Sequence, residues 1–204
     1  IMIQRHFPFV LIDHQGTGSD CPAVGATNWS GGYSATEYLV QLGHERIGFI
    51  TGSMDLGCSV DRLDGYRSAL QTYHIEEDPD LIFEGDFFQD DGLAGASVLL
   101  DLPQPPTAIF ASNDVMAMGV MDAVRNRGLR IPEDISVIGF DNIPQSSLVR
   151  PALTTIHQPL EKMGRVATQL LLNLLEHPEK ESKRIELPTR LVIRESCGKP
   201  KATK

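Results

Sequence analysis

Five side chains that could recognise a polar small molecule follow closely on apolar runs of this sequence: Arg62, Phe87, Asn113, Asp141 and Gln158. An arginine offers five N–H donors in a rigid fork, a carboxylate offers paired acceptors, and side-chain amides offer both. A carbohydrate hydroxyl donates and accepts, so this mixture matches a sugar, and the ring of Phe87 suits the C–H side of a sugar ring. A purine would also match an aromatic ring combined with amides. These residue types therefore indicate binding of a small molecule.

Each of these residues also has a plainer structural interpretation. Asn113 precedes a predicted helix, and asparagine is a preferred N-cap. Asp141 could be a turn residue, Arg62 a surface or ion-paired residue, Gln158 a linker residue and Phe87 part of the core. Their shared position favours a binding site, because ligands of open α/β proteins bind beyond the carboxyl ends of the strands.

Patterns that would indicate catalysis or a metal centre are absent from the sequence. It contains no phosphate-binding P-loop, no GxGxxG after a strand and no GxSxG elbow, and no two carboxylates are spaced for acid–base work. The six histidines form no HExxH or HxH pattern, and the three cysteines form no CxxC pair. We therefore predict no enzymatic activity, no catalytic residues, no metal ion and no cofactor.

The charge balance argues against nucleic-acid binding by these residues. Lysine and arginine number 18 against 27 acidic residues, a net charge of −9, whereas affinity for DNA phosphates comes from clustered Lys and Arg. Three widely spaced cysteines suggest no disulfide framework and fit a reducing cytoplasm. No run of about 18 apolar residues could cross a membrane, and residues 1–13 indicate a strand rather than a secretory signal.

Apolar runs alternate with helical patterns along the chain. Strands are predicted at residues 9–12, 47–50, 81–83, 108–111, 137–140, 154–156, 184–187 and 189–194. Helices are predicted at residues 30–42, 59–73, 91–102, 113–128 and 159–176, where Pro159 suits a first helical turn. Continuous Val/Ile/Phe strands followed by helices indicate an α/β fold with a parallel sheet covered on both faces.

Several stretches of the sequence resemble the lactose-repressor/galactose-repressor family of bacterial transcription regulators. The most specific is IPEDISVIGFDN at residues 131–142, which continues as PALTTIHQ at residues 151–158. Three more are LGHERIGFITG at 42–52, RLDGYRSAL at 62–70 and ASNDVMAMG at 111–119. They occur in the family order and cover nearly the whole chain.

The resemblance implies the fold of periplasmic sugar-binding proteins, in which two α/β lobes with parallel sheets enclose a ligand cleft. Residues 1–44 and 159–178 would form a partial N-terminal lobe, and residues 45–156 and 184–196 the C-terminal lobe. Residues 197–204 would be a tail. The helix-turn-helix headpiece, the hinge and the first βα units of the family are not among these residues, so an incomplete N-terminal lobe is expected.

The resemblance also assigns roles to the five candidate residues. Arg62, Asn113 and Asp141 correspond by motif to the hydroxyl-binding core of the family's effector site. Phe87 corresponds to the aromatic residue that packs on the ligand. Gln158 corresponds to a contact near the crossover between lobes.

Four nearby positions depart from the family pattern or stay ambiguous. Cys58, one turn before Arg62, replaces what is often a small polar residue and suggests a less polar pocket wall. Thr27 stands where many members have an acidic residue, and Ser30 is a weaker candidate partner from the same helix start. Trp29, the only tryptophan, is either a pocket wall or ordinary packing.

The function that the resemblance implies is ligand sensing. A small effector, a sugar or a related polyol, would bind between the lobes of a homodimeric cytoplasmic regulator. Binding would control operator DNA through a headpiece outside this chain. Two other functions stay open: a periplasmic-type sugar-binding protein and, with less support, a sugar-phosphate enzyme. Nucleobases and sugar phosphates also remain as ligands that the residue types allow.

Overall fold

The computed structural model describes residues 7–13, 21–177 and 184–201. Within them the chain forms two β-sheets whose strands are parallel except for one antiparallel pair. Helices cover these sheets, so the predicted α/β fold with parallel sheets is confirmed. No helix in the described ranges combines the length and the apolar character needed to cross a membrane.

The strands divide unequally between the two sheets. In chain order they are β1 (Leu11–Ile12), β2 (Ala23–Ala26), β3 (Ile47–Ile50), β4 (Ile82–Phe83), β5 (Ala108–Ala111), β6 (Ser136–Asp141), β7 (Thr154–His157), β8 (Arg184–Leu187) and β9 (Arg190–Val192). The smaller sheet has the order β1-β2-β8, and the larger has the order β4-β3-β5-β6-β7-β9. Among these described strands, only β9 runs antiparallel, against β7.

Helices cover both faces of the larger sheet. They are α1 (Asn28–Gln41), α2 (Gly57–Thr72), α3 (Gln89–Leu100) and α4 (Asp114–Asn126), while α5 (Leu160–Glu176) packs on the smaller sheet. Consecutive strand residues point to opposite faces. Phe49 and Phe110 therefore pack with α1 and α2, whereas Ile50 and Ile109 pack with α3 and α4. Burial of both faces explains why these strands are continuous apolar runs.

Two glycines bring α1 and α2 into backbone contact. A Cβ atom on Gly32 would lie 2.3 Å from the carbonyl oxygen of Arg62, and one on Gly65 would lie 2.2 Å from that of Trp29. Larger residues at either position would force the helices apart. The close approach places the first turn of α1 beside Arg62.

Within the described residues the chain passes between the two sheets three times. The crossings lie at Thr27 between β2 and α1, at residues 158–159 between β7 and α5, and at residues 188–189 between β8 and β9. Hydrogen bonds join the first and third crossings. Thr27 N donates to Leu187 O at 3.0 Å, and Thr189 N donates to Thr27 Oγ1 at 3.0 Å. The two threonine hydroxyls also lie 3.0 Å apart.

The predicted elements are confirmed with shifts of one or two residues at their ends, but one strand was not predicted. That strand is β2, the central strand of the smaller sheet. Its sequence, AVGA, has a single β-branched residue and no aromatic residue, so it carries little of the composition that favours strands. It forms a strand because it pairs with β1 on one side and with β8 on the other.

Two placements differ from the expected division into lobes. Helix α1, expected with residues 1–44 in the first lobe, packs on the larger sheet through Ala35 and Leu39. Strand β8, expected with residues 184–196 in the second lobe, pairs with β2 in the smaller sheet. The chain changes sheets only after Leu187, where Pro188 follows. The lobe boundaries themselves stay a prediction.

Residues 197–201, expected to be part of a tail, pack against the larger sheet. Cys197 Sγ donates to Val137 O at 3.2 Å, and the His44 ring donates from Nε2 to Gly198 O at 2.9 Å. Burial lowers the pKa of His44, with the Gly198 carbonyl acting in the opposite direction. This segment is therefore fastened to the sheet, and residues 202–204 lie outside the described residues.

Candidate ligand site at the ends of the larger sheet

Arg62 is the centre of a polar cluster at the carboxyl ends of β5, β6 and β7. It lies in the second turn of α2 and is only 2% exposed. Its Nε donates to Asn28 Oδ1 at 3.0 Å, Nη1 donates to Ser112 O at 2.5 Å, and Nη2 donates to Gln158 Oε1 at 3.2 Å. A buried guanidinium needs such partners because an unpaired charge in the interior is costly.

The central carbon of this guanidinium lies over an aromatic ring. Arg62 Cζ is 3.7 Å from the centre of the Phe140 ring and 5.9 Å from that of Phe87. A cation over a ring face is attracted by about 0.5–2 kcal/mol, more when it is desolvated. Phe140 therefore supports the guanidinium from one side, and Phe87 borders the same space.

Asp141 ends β6 and faces Arg62 without a direct hydrogen bond. Its Oδ1 lies 3.9 Å from Arg62 Nη2, and its side chain is 23% exposed. Burial raises the pKa of Asp141 to about 6; Arg62 lowers this pKa and the charge of Asp13 raises it. Asp13 directly follows β1 of the smaller sheet. The pKa of Asp141, at the end of the larger sheet, is therefore affected by a carboxylate of the smaller sheet.

Asn113 serves the protein in both ways that its sequence position allows. Its Oδ1 accepts from Met116 N at 2.7 Å and so caps α4. Its Nδ2 donates to the carbonyl oxygen of Phe87 at 3.1 Å. The N-cap interpretation is therefore confirmed, and the same amide also fixes the backbone of the aromatic candidate.

Phe87 lies in a loop before α3 with an unusual backbone conformation. Its φ is +68°, a region that residues with a side chain rarely adopt. The ring lies directly on Gly52, where a Cβ atom would stand 2.0 Å from the ring. The ring is thus held between Gly52, which follows β3, and the space beside Arg62.

Gln158 is buried at the crossing from β7 to α5. Its side chain accepts from Arg62, and its backbone N donates to Asp141 O at 3.2 Å. It therefore contacts both charged residues of the cluster, which is more than a linker residue would do.

The remaining candidates lie around this cluster in different environments. Cys58 is buried in the first turn of α2, one helical turn before Arg62. Trp29 is 46% exposed and its ring stacks on Tyr33 at 5.4 Å, while Ser30 is exposed. The structure brings Arg62, Phe87, Asp141 and Gln158 together, and within the described residues it shows no hydrogen bond, ion pair or ring contact of Trp29 or Ser30 with them. A ligand role of those two stays a prediction.

Asn28, Ser112 and Asp114 also belong to the cluster or its support. Asp114 follows β5 beside Asn113 and so stands at a strand end as expected of a site residue, whereas Asn28 and Ser112 were not among the predicted ligand contacts. Asn28 begins α1 and is buried against Arg62. Ser112 contributes a backbone carbonyl, which no side-chain pattern reveals. Asp114 is fully buried and accepts from Ile143 N at 2.9 Å and from the hydroxyl of Thr155. Burial raises the pKa of Asp114 to about 7.

The cluster leaves hydrogen-bonding capacity for a ligand. An arginine side chain has five N–H donors. Three of those of Arg62, one on each nitrogen, are used by the described partners. The hydroxyl of Ser112, whose carbonyl oxygen accepts from Arg62, is buried and has no partner in the part of the chain described. Over the same residues, no group of three or more His, Cys, Asp or Glu is arranged to hold a metal ion. The site is therefore suited to a polar organic ligand.

Comparison with known proteins gives the same family in sequence and in structure. The family model described as a periplasmic binding protein-like domain matches residues 36–197. The HTH-type transcriptional repressor PurR of Vibrio atlanticus is 37% identical over 195 residues, which is 95% of this chain. The chain spans 58% of the length of that relative.

Two solved structures are similar over nearly the whole chain. A putative transcriptional regulator LacI from Bacillus cereus subsp. cytotoxis has a TM-score of 0.92 at 32% identity, over 97% of this chain and 71% of that one. A LacI family transcriptional regulator from Enterococcus faecium with bound ribose has a TM-score of 0.89 at 33% identity, over 98% and 74%.

Proposed function

This chain belongs to the LacI family of transcriptional regulators, within their periplasmic binding protein-like domain, and on that premise we propose that it senses a sugar or a related polyol at the Arg62–Asp141 cluster. The relatives compared are regulators rather than enzymes. The cluster is thus proposed to bind its ligand and release it unchanged.

The observation that carries the proposal is the spacing of Arg62 and Asp141. The two side chains face each other at 3.9 Å, too far for a hydrogen bond and without another described side chain bridging them. A ligand hydroxyl beside this pair would accept from the guanidinium and donate to the carboxylate. Hydroxyls do both at once, whereas a carbonyl or a phosphate only accepts.

The aromatic side of the site supports the same ligand class. Phe87 is anchored through its backbone by Asn113 and through its ring by Gly52, so it offers a fixed apolar face. A sugar ring has an apolar C–H face and a rim of hydroxyls. The bound ribose of the Enterococcus faecium relative is consistent with this assignment.

Control of DNA binding is proposed to follow from the position of the site between two sheets. Asp13 belongs to the end of the smaller sheet and Asp141 to the end of the larger. A ligand that interacts with both favours one arrangement of the sheets, by no more than its difference in affinity for the two arrangements. With a net charge of −9, these residues repel DNA, so we place operator contacts in a headpiece outside this chain and the regulator in the cytoplasm.

A homodimer is proposed through the exposed surface of α3 and α4. This surface contains a groove of about 210 Å³ that is lined by Gln89, Met118, Met121, Asp122, Arg125 and Val149. Leu93 on α3 is 38% exposed, and Leu148, the neighbour of Val149, is 70% exposed. Apolar side chains around a groove are typical of surfaces that another protein covers.

The test is a thermal-shift screen of the purified chain against sugars, sugar phosphates and nucleobases. We expect stabilisation by one or more neutral sugars in wild type and in Arg67→Ala, and none in Arg62→Ala or Asp141→Asn. Arg67 is the matched control because it is exposed on the same helix. Stabilisation by nucleobases or sugar phosphates alone would overturn the sugar assignment, and turnover of the sugar would favour an enzyme. Export of the chain with a transporter partner would favour a periplasmic binding protein.

A further inference from the structure

We propose that Arg194, which follows β9, is a positioning residue of the ligand site: it fixes Asn142, and through Asn142 the turn that directs Asp141 toward Arg62. Arg194 itself touches no proposed ligand contact in the described residues. The inference rests on the proposed role of Asp141 as a ligand contact.

The turn at the end of β6 has a backbone conformation that needs support. Asp141 has φ +108° and Asn142 has φ +62°, so two consecutive residues with side chains occupy the left-handed half of φ space. Such conformations cost of order 1–3 kcal/mol each and persist only where surrounding contacts impose them. Asn tolerates this region better than most residues, but Asp141 at +108° lies outside its usual left-handed well.

Both polar ends of the Asn142 amide are held. Its Oδ1 accepts from Arg194 Nη2 at 2.6 Å, and its Nδ2 donates to His157 Nδ1 at 3.1 Å. The hydrogen bond from Arg194 is charge-assisted and is therefore stronger than one between neutral groups. Asp114 holds the following residue, because its Oδ2 accepts from Ile143 N.

Arg194 is itself fixed inside the loop that joins β6 to β7. Its Nη1 donates to Leu153 O at 2.6 Å and approaches Ser146 Oγ at 3.4 Å, and its backbone N donates to Thr154 Oγ1 at 3.0 Å. The partners of its guanidinium are neutral oxygens of this loop. Its role is therefore to hold the shape of the loop.

The test uses the carboxyl of Asp141 as a reporter that needs no ligand. Its ¹³C chemical shift would be followed by NMR across pH in wild type, Arg194→Ala, Arg194→Lys, Asn142→Gly and the double variant Arg194→Ala/Asn142→Gly. Glycine at 142 accepts the positive φ without strain, so that variant removes the amide alone. Asp13, Asp114, His157 and Arg62 are the other charged or titratable groups near the reporter, and their resonances would be assigned in each variant.

If Arg194 positions Asp141, its loss lets the carboxyl reach solvent, and the Asp141 pKa falls by about one unit or more. Asn142→Gly gives the same direction, and the double variant gives no further change because both act through one contact. An unchanged Asp141 pKa in folded Arg194→Ala would overturn the proposal, and so would additive effects in the double variant. Arg194→Lys keeps a charged donor, so it should shift the Asp141 pKa less than Arg194→Ala does. If the alanine variant does not fold, an unchanged Asp141 pKa in Asn142→Gly overturns the proposal. If the wild-type chain fails to bind sugars, the proposed function is wrong. The pKa measurements on Asp141 still test the role of Arg194, because they need no ligand.

Discussion

Asn113 joins the start of α4 to the carbonyl of Phe87, using its two amide ends for two different tasks. Its oxygen caps the helix, and its nitrogen fixes a residue at positive φ whose ring borders the ligand space. A sequence motif that contains this asparagine therefore serves the geometry of the site even before any ligand is bound.

The two tasks of Asn113 can be separated by substitution. Asn113→Asp keeps the capping oxygen and adds a charge that a helix N-terminus favours, but it cannot donate to Phe87 O. We expect its free energy of unfolding to stay within about 0.5 kcal/mol of wild type, while sugar affinity falls about tenfold. Asn113→Ala should lose both the helix cap and the hydrogen bond to Phe87 O. We expect its free energy of unfolding to fall by about 1 kcal/mol. Urea denaturation and calorimetric titration with the sugar from the screen would measure this, and equal affinities of Asn113→Asp and wild type would contradict it.

Gly52 should be essential for the position of the Phe87 ring. A methyl group at Gly52 would stand 2.0 Å from that ring, so Gly52→Ala must displace it. We expect a loss of sugar affinity of about tenfold or more in calorimetric titration, roughly the worth of one aromatic contact. Gly25→Ala is the matched control, since a methyl group there meets nothing within 4 Å. Equal affinity in both variants would show that Phe87 is no ligand platform.

Two buried carboxyls should contribute less to stability as pH rises toward neutrality. Burial raises the pKa of Asp114 to about 7 and that of Asp141 to about 6. These two carboxyls therefore bind more protons in the folded than in the unfolded chain between pH of about 4 and 7, and their contribution to the free energy of unfolding falls through that interval.

Asp114→Asn should remove much of this dependence. An asparagine can still accept from Ile143 N and donate to the oxygen of Thr155. We expect the difference in unfolding free energy between pH 5 and pH 8 to shrink by on the order of 2 kcal/mol. Urea denaturation at the two pH values measures it, with Asp101→Asn, an exposed carboxylate paired with Arg127, as control. A slope equal to that of wild type would mean that Asp114 does not titrate in this interval.

The proposed homodimer gives a prediction on α3. Leu93→Glu places a charge on the exposed surface of α3, and in the proposed two-fold interface like charges would face each other. We expect the association constant of the dimer, measured by sedimentation equilibrium, to fall at least about tenfold. Val60→Glu, at a similarly exposed position on α2, should leave the dimer unchanged. A chain that is monomeric throughout would refute the dimer, and an intact Leu93→Glu dimer would refute this surface.

The sequence predicted the larger sheet and the core of the site because both depend on local signals. Strands such as Ile47–Ile50 are continuous apolar runs, and Asp141 follows β6 directly, so strand ends located the polar candidates. The family motifs then singled out Arg62. These signals fix which residues stand at the edge of the sheet.

Other parts of the site depend on contacts between residues far apart in the chain, which no local pattern contains. Arg194 reaches Asn142 across 52 positions, and Asn28 reaches Arg62 across 34. Their residue types are common, and nothing in their immediate neighbours distinguishes them. Strand β2 was missed for a related reason, since its small residues become a strand only by pairing on both sides.

The hydrogen bonds between Thr27 and Thr189 have a mechanical consequence. Two of the three described segments that run between the sheets are joined side by side by hydrogen bonds. Bending of one segment therefore requires bending of the other. Rotation about an axis across both segments leaves these bonds intact, whereas sliding one past the other would break them. The third segment, at residues 158–159, then acts as a second point of attachment. We therefore expect opening and closing over Arg62 to be the relative movement of the two sheets that breaks the fewest of these hydrogen bonds.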